Sequence, residues 1–448
     1  MGPFIGLILA AGLGKRMRSA LPKVLHEVAG VPMVDHVFRT VRDAGAKKVL
    51  VLVGHGGERI EEHFRANVEI VWQKEQLGTG HAVMCAADAL SGYDGAVVVV
   101  PGDVPLLQAS SIRHLVEQHE KSGSAATMLT MVLSDPAAYG RVVRDGAGRV
   151  TGVVEFKDAS DEIRTVREVN TGVFCFSTRL LFEALPHVTN DNQQGEYYLP
   201  DVIPVLISRG HAVSALTLSD PLEGMGVNSR VELASAERVM RDRKRWEVMD
   251  SGVTLVDPGS TFIDMDVRIG RDTVILPFTI IQGSTSIGES CSVGPYVNIR
   301  DAVVGDGCKI GPFSFIRPGT VLADSVKVGD FVEVKNAKIA TGSKVPHLTY
   351  VGDAIIGSGV NVGAGTITCN YDGYKKHTTV IEDGAFIGAN SNLVAPVTVG
   401  REAYVATGST VTTDVPPGSL AIARARQENK EGWVAKLKAT RAAREENR

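Results

Sequence analysis

Cysteine is scarce in this sequence. Its 448 residues hold five, Cys85, Cys175, Cys291, Cys308 and Cys369, and no two stand at metal-ligand spacing. An odd, scattered set is neither a disulfide framework nor a thiolate metal site, and a reducing cytosolic compartment is the expected context. Charge of one sign is also missing: 47 basic residues stand against 51 acidic ones, for a net −4. That argues against nucleic acid or an anionic membrane surface as an overall partner. Long apolar runs are absent too. Phe4–Ala11 is too short to span a bilayer and has no basic segment before it. Neither a membrane span nor a secretory leader is expected.

What is present is a period of six. Ile263, Ile269, Ile275, Ile281, Ile287, Val293 and Ile299 are all aliphatic. The phase then slips by one residue and resumes at Val304, Ile310, Ile316, Leu322, Val328 and Val334. It returns at Ile356 and Val362, and again from Ile381 through Ile387, Leu393, Val399, Val405 and Val411. Six residues make one short strand and one tight turn, and three such units close a triangular coil. Each aliphatic side chain then points into a prism whose coils stack at about 4.8 Å. The repeat is expected to break at Lys335–Val351 and at Asn370–His377, and loops leaving a rigid scaffold are where chemistry is sought.

The first half reads differently. Phe4–Ala11, Lys48–Val53, Val68–Gln73 and Gly95–Pro101 are short apolar runs. Between and after them, Pro32–Ala44, Gly78–Leu90 and Ser110–Lys121 carry helical patterns. Such alternation predicts a doubly wound, mainly parallel α/β sheet, with ligands at the carboxyl ends of its strands. The loop after the first strand, Leu9-Ala10-Ala11-Gly12-Leu13-Gly14-Lys15-Arg16-Met17, is glycine-rich and cationic, which suits a phosphate. It is neither a dinucleotide fingerprint nor a P-loop, because Met17, Arg16 and Leu9 stand where those motifs need other residues. Three segments are predicted: residues 1–230, a solvated spacer helix over 231–251 with no Gly or Pro, and residues 252–448.

Leu9–Met17 with Leu21-Pro22-Lys23 resembles the signature of sugar-phosphate nucleotidyltransferases. Gln73–His81, Gly102-Asp103-Val104-Pro105, Tyr139-Gly140-Arg141, Val154-Glu155, Glu168–Gly172 and Gly226-Val227-Asn228 follow in the same order. With the hexapeptide half, the whole chain resembles the bacterial bifunctional enzymes that make UDP-N-acetylglucosamine. That resemblance implies UTP and N-acetylglucosamine 1-phosphate as substrates of the first half. It implies binding by Leu9, Ala10, Ala11, Gly12, Lys23, Gln73, Gly78, Thr79, Gly140, Glu155, Asn170 and Asn228. It further implies Mg²⁺ on Asp103 and Asn228. Attack of one phosphate on another joins two anions, so catalysis is mostly charge neutralisation, for which Arg16 and Lys23 are suited. Pro101 departs from the family, which often carries Tyr there.

For the second half the resemblance implies a left-handed parallel β-helix that moves acetyl from acetyl-CoA to glucosamine 1-phosphate, working as a homotrimer. Acetylating an amine needs a base near neutral pH, and His347 is the candidate. By resemblance Arg317, Lys335, Tyr350, Asn361 and Lys376 hold the sugar phosphate. Ala364, Asn370, Tyr371, Ala389, Thr407, Ala423 and Arg424 lie where the family contacts acetyl-CoA. Some members carry Ser at the position of Ala389. The tail from Arg424 to Arg448 has eight basic and four acidic residues and reads as a solvated helix or a cover for CoA phosphates. One rival reading is a nucleotide-sugar pyrophosphorylase whose prism only assembles the oligomer. Another is a non-enzymatic regulatory scaffold.

Overall fold

A computed structural model describes residues 2–65 and 68–445. Residues 446–448, including the Glu446 and Arg448 counted in the tail's charge, lie outside them. The chain divides into two compact units, residues 1–246 and 247–448.

The first unit is a mixed sheet with helices on its faces. Its strands are β1 (Phe4–Ala10), β2 (Ala46–Val53), β3 (Glu69–Trp72), β4 (Ala96–Pro101) and β5 (Ala126–Val132). Four more are β6 (Arg141–Arg144), β7 (Val150–Val154), β8 (Glu168–Ser177) and β9 (Val213–Thr217). The order is β9-β5-β8-β4-β1-β2-β3, with β6 joined to β8 and β7 joined to β6. β1, β2, β3 and β4 run parallel, as their continuous apolar sequences predict for strands covered on both faces. β8 departs from the expectation and lies antiparallel between β4 and β5. Gly6 is required in β1. A Cβ there would stand 2.2 Å from a methyl of Val41, on the helix Met33–Asp43 that covers the strand. The predicted helix over Gly78–Leu90 is shorter, Thr79–Met84, followed by a turn and a 3₁₀ segment at Asp88–Leu90.

The helix Arg230–Asp250 is not a solvated spacer. Ala236, Met240 and Lys244 are buried, and the Arg243 guanidinium donates to the Leu106 carbonyl at 2.7 Å.

The second unit is a parallel β-helix. Ten strands stack on its first face, nine on its second and eight on its third. The inward aliphatics pair in register, Ile263 over Ile281 over Ile299 over Ile316 on the second face. They form one continuous core. From Ile263 on, every change of spacing falls on the edge between the second and third faces. Val304 follows Ile299 by five positions, Ile339 follows Val334 by five, and Ile356 follows Val351 by five. The expected break at Lys335–Val351 therefore does not occur: Glu333–Lys335, Lys338–Ile339, Lys344–His347 and Tyr350–Gly352 are successive strands of the stack. The predicted excursion at Asn370–His377 does occur, and it leaves the same edge between Thr368 and Thr379. The terminal helix Trp433–Glu445 has no buried residue.

Candidate active sites

The first site lies at the carboxyl ends of β1 and β4. The Gly102 amide donates to the Leu9 carbonyl at 2.9 Å, and the Val227 amide donates to the Asp103 carbonyl at 2.8 Å. These bonds draw three predicted motifs together around a cavity of about 630 Å³. Leu9, Ala10, Ala11, Gly12, Lys23, Gln73, Gly78, Thr79, Asp103, Gly140, Glu155, Asn170 and Asn228 all line it. Arg16 does not; it is exposed, and Lys15 lines the cavity instead. Pro101 also lines it, against Gly172.

Lys23 is the centre of charge. Its ammonium donates to the Asp103 carboxylate and to the Asn228 carboxamide oxygen, 2.9 Å away. Two hard oxygen donors thus converge on one cation, the donor chemistry that also suits Mg²⁺.

At the other end, the buried Gln73 amide donates to the Gly78 carbonyl at 3.0 Å. Gly78 has a φ of 107°, and a Cβ there would meet the Tyr197 carbonyl oxygen at 2.6 Å. Only glycine fits such a turn. The Thr79 hydroxyl accepts from the Leu199 amide at 3.0 Å, so the glycine turn and the segment around Tyr197 are tied together.

The third wall is acidic. Burial pushes the Glu155 carboxyl up to about 7, helped by Asp201 and Asp158. Burial and Asp158 push Asp201 up to about 6. Arg141 is buried and structural: its guanidinium donates to the carbonyls of Ala137 and Arg164 and so holds the Tyr139-Gly140 loop. Tyr139 fixes the Asn228 segment in turn, its hydroxyl accepting from the Gly226 amide at 3.1 Å.

The second site is built from columns. Residues one coil apart stack directly. Asp330 pairs with His347, and the same register places Ala364, Ala389 and Thr407 above them. The predicted base and three predicted acetyl-CoA positions are therefore successive rungs of one column. The chain comes back to its top, where a Cβ on Gly408 would meet the Arg424 side chain at 3.8 Å. The Ala423 carbonyl accepts from the Thr410 amide at 3.1 Å.

The neighbouring second face carries the cations. Arg317 and Lys335 occupy one column, with Gly352 next above. Arg317 pairs with Glu333 at 2.7 Å. The Asn370–His377 excursion brings Lys376 beside Lys335. The Lys376 ammonium beside it holds the Lys335 ammonium below the usual lysine range. Two cations forced together in this way mark a place for an anion. The excursion is braced from within: Asp372 accepts from the amides of Tyr374 and Lys375 at 2.8 Å and from His377 at 2.7 Å. Those bonds, that from Lys375 largest, hold the Asp372 carboxyl down at about 2.

Asn370 is buried and donates to Asp353, with Tyr350 3.5 Å away. The Tyr371 hydroxyl donates to the Gly373 carbonyl at 2.6 Å. Asn361 lies apart from this group, on the first face in register with Lys344 and Phe386.

Residues 6–196 match the model of the MobA-like NTP transferase domain, residues 251–345 a GMPPB C-terminal domain, and residues 378–413 the bacterial transferase hexapeptide, six repeats. A bifunctional protein GlmU from Caldanaerobacter subterraneus is 51% identical over 97% of this chain and 98% of its own length. Those of Heliobacterium modesticaldum and Carboxydothermus hydrogenoformans are each 51% identical over 96% of this chain. The chain belongs to the GlmU family. It is a bifunctional enzyme, with a nucleotidyltransferase unit and a hexapeptide acetyltransferase unit of left-handed β-helix type.

GlmU membership accounts for the motifs the sequence displayed, but two neighbours of the sites were not singled out. Tyr139 stood inside a quoted motif without a role of its own. Asp330 went unnoticed because nothing local marks it. Its signal is the coil length: it precedes His347 by 17 positions, one full turn of the prism.

Proposed function

We propose that the second unit acetylates glucosamine 1-phosphate from acetyl-CoA, and that the first unit then joins N-acetylglucosamine 1-phosphate to UTP, releasing pyrophosphate. The observation that carries this reading is the column of Asp330, His347, Ala364, Ala389 and Thr407 on the first face, with the Arg317 and Lys335 cations on the adjacent second face and Lys376 next to Lys335. A prism used only for assembly has no need of a histidine and three cations on adjacent faces.

In the first step the sugar amine attacks the thioester carbonyl carbon. A C–N bond forms, the C–S bond breaks, and the amine proton passes to His347 and on to the departing thiolate. Lys335, Lys376 and Arg317 hold the phosphate. The backbone near Ala364 and Asn370-Tyr371 supplies donors to the oxyanion. In the second step Lys23 neutralises charge as the sugar phosphate attacks the α-phosphorus. Gln73, Gly78 and Thr79 read the uracil edge, and Gly140, Glu155 and Asn170 hold the sugar. Asp103 and Asn228 would hold Mg²⁺, which supplies further neutralisation of the triphosphate. Arg16 is exposed and serves the triphosphate only if its loop closes.

The working form is a homotrimer. Its support is an exposed aromatic ladder on the edge between the first and second faces. Phe278, Tyr296, Phe313 and Phe331 stack at 4.8, 5.0 and 5.1 Å, and each is about half exposed. Leu348, next to His347, is the following rung. A contiguous apolar stripe of this kind is what a neighbouring copy covers. No helix among the described residues is long and apolar enough to cross a membrane. We place the enzyme in the cytoplasm, in keeping with its free cysteines.

The deciding experiment follows thiol release from acetyl-CoA with glucosamine 1-phosphate for the parent and for His347→Ala. Release by the parent and a fall of about 10²–10⁴-fold in the variant are expected. A parent that forms pyrophosphate but releases no thiol overturns the acetyltransferase assignment and leaves a uridylyltransferase on a structural prism.

A further inference from the structure

We propose that Asp330 is the positioning residue of the acetyl-transfer base, accepting a hydrogen bond from the Nδ1–H of His347 so that Nε2 is left as the nitrogen that accepts protons. The inference rests on the reading of His347 as the base. It starts from the stack. Strands Lys327–Asp330 and Lys344–His347 pair in parallel, and Asp330 lies directly opposite His347. Their side chains meet, Asp330 Oδ1 against His347 Nδ1.

The direction of that bond is fixed by chemistry. His347 holds the Asp330 carboxyl below the usual carboxylate range, so near neutral pH it is ionised and can only accept. Nδ1 must therefore carry the hydrogen. A neutral imidazole has one N–H, which leaves Nε2 with a free lone pair. Without a partner the ring would exchange tautomers and turn about its Cβ–Cγ bond. The histidine backbone is already held, since its carbonyl accepts from the Thr349 hydroxyl at 2.6 Å. Asp330 supplies the remaining restraint, on the ring itself.

The fold does not require a carboxylate here. In the three coils below, the same register puts Pro277, Pro295 and Pro312 in this column. The Asp330 main chain is tied into the stack without its side chain, the carbonyl accepting from the Leu348 amide at 2.9 Å. A carboxylate thus replaces a run of prolines at the one rung that lies under the histidine. Both side chains remain about a third to a half exposed, so the pair is open to a substrate.

The test compares Asp330→Ala and the near-isosteric Asp330→Asn, each alone and combined with His347→Ala. An unchanged melting temperature of the second unit and an unchanged sedimenting mass report that the prism is intact. Alone, Asp330→Ala should lower kcat for acetyl transfer by about 10–100-fold, the scale seen when the partner that orients a metal-ligating histidine is removed. KM for both substrates should hold. Asp330→Asn, which cannot disturb packing by its shape, should also lose activity. In the His347→Ala background neither change should cost anything more, because the residue acts through the ring. A second reading is the ¹⁵N spectrum of histidine-labelled protein, with His347 assigned by its absence in His347→Ala. The neutral ring should show a protonated Nδ1 and a bare Nε2 in the parent, and a mixture in Asp330→Asn.

An Nε2–H ring in the parent overturns the proposal. So does an equal loss with and without His347, or no loss in either single variant. Full activity in His347→Ala alone would instead sink the base assignment, so the two failures are told apart.

Discussion

The ammonium of Lys23 rests against the carboxylate of Asp103, eighty positions later in the chain. Asn228 completes the contact from a third motif. One cation therefore gathers the loop after β1, the loop after β4 and the segment before the long helix. Its loss should do more than remove a charge.

Lys23→Ala should lower pyrophosphate formation by about 10²–10³-fold, the scale of deleting one fixed donor to developing charge. Thiol release by the second unit should be untouched, and it serves as the control in the same sample. Equal loss of both activities would mean that the variant unfolds the chain rather than the site.

Glu155 gives the first unit a stability that depends on pH. Its carboxyl keeps a proton to about 7 in the fold, against an ordinary value of 4.5. Between those values the unfolded chain has lost the proton and the folded one has not. Native stability should thus fall as pH rises through this window and be fully spared below it. Glu155→Gln should raise the melting temperature of the first unit at pH 8 and change it little at pH 5. Each kcal/mol recovered is worth about 2–4 °C in a unit of this size. A residual slope from Asp201, raised to about 6 in the same direction, should remain. Calorimetry that finds an identical gain at both values would exclude this cause.

Lys376→Met should weaken glucosamine 1-phosphate without slowing chemistry on the bound substrate. A lost hydrogen bond to a charged group costs about 1.5–3 kcal/mol, so KM for the sugar phosphate should rise about 10–100-fold while kcat holds. The substitution also relieves Lys335 of its crowded neighbour, so some of the loss should be offset. A fall in kcat at constant KM would place Lys376 in the chemical step instead.

Phe313→Arg interrupts the aromatic ladder in its middle. Sedimentation should then find single chains of 47.7 kDa, with acetyl transfer lost and uridylyl transfer kept. An unchanged mass would show that the ladder faces solvent and that copies meet elsewhere.

The prism was legible because its aliphatics recur at a fixed spacing that survives a one-residue slip. Sheet direction was less so: nothing in Phe174-Cys175-Phe176 says whether β8 runs with or against β4, since buried strands of either sense are apolar. The helix expected over Gly78–Leu90 ends at Met84 although its residues are good helix formers, and the chain tightens there into turns whose amides bond three residues back. In the nucleotide site the predicted binding residues converge on one cavity, whereas Arg16 does not line it, because its exposed side chain depends on a loop position that no spacing encodes. The break expected at Lys335–Val351 is absent because a second one-residue slip, from Val334 to Ile339, keeps Ile339, Val345 and Val351 pointing inward. Asp330 was hidden for the same reason: its partner is found by counting one coil, and the coil length varies.

That variation has a direction. From Ile263 on, the shortened coils and the long excursion all leave by one edge, so there the other two edges work as a reading frame. A residue gained or lost at the permitted edge changes a loop and nothing downstream. A change on either of the other edges between Asp330 and His347 would slide the histidine off the carboxylate. The chain can therefore acquire new surface along a single seam while its chemistry stays in phase.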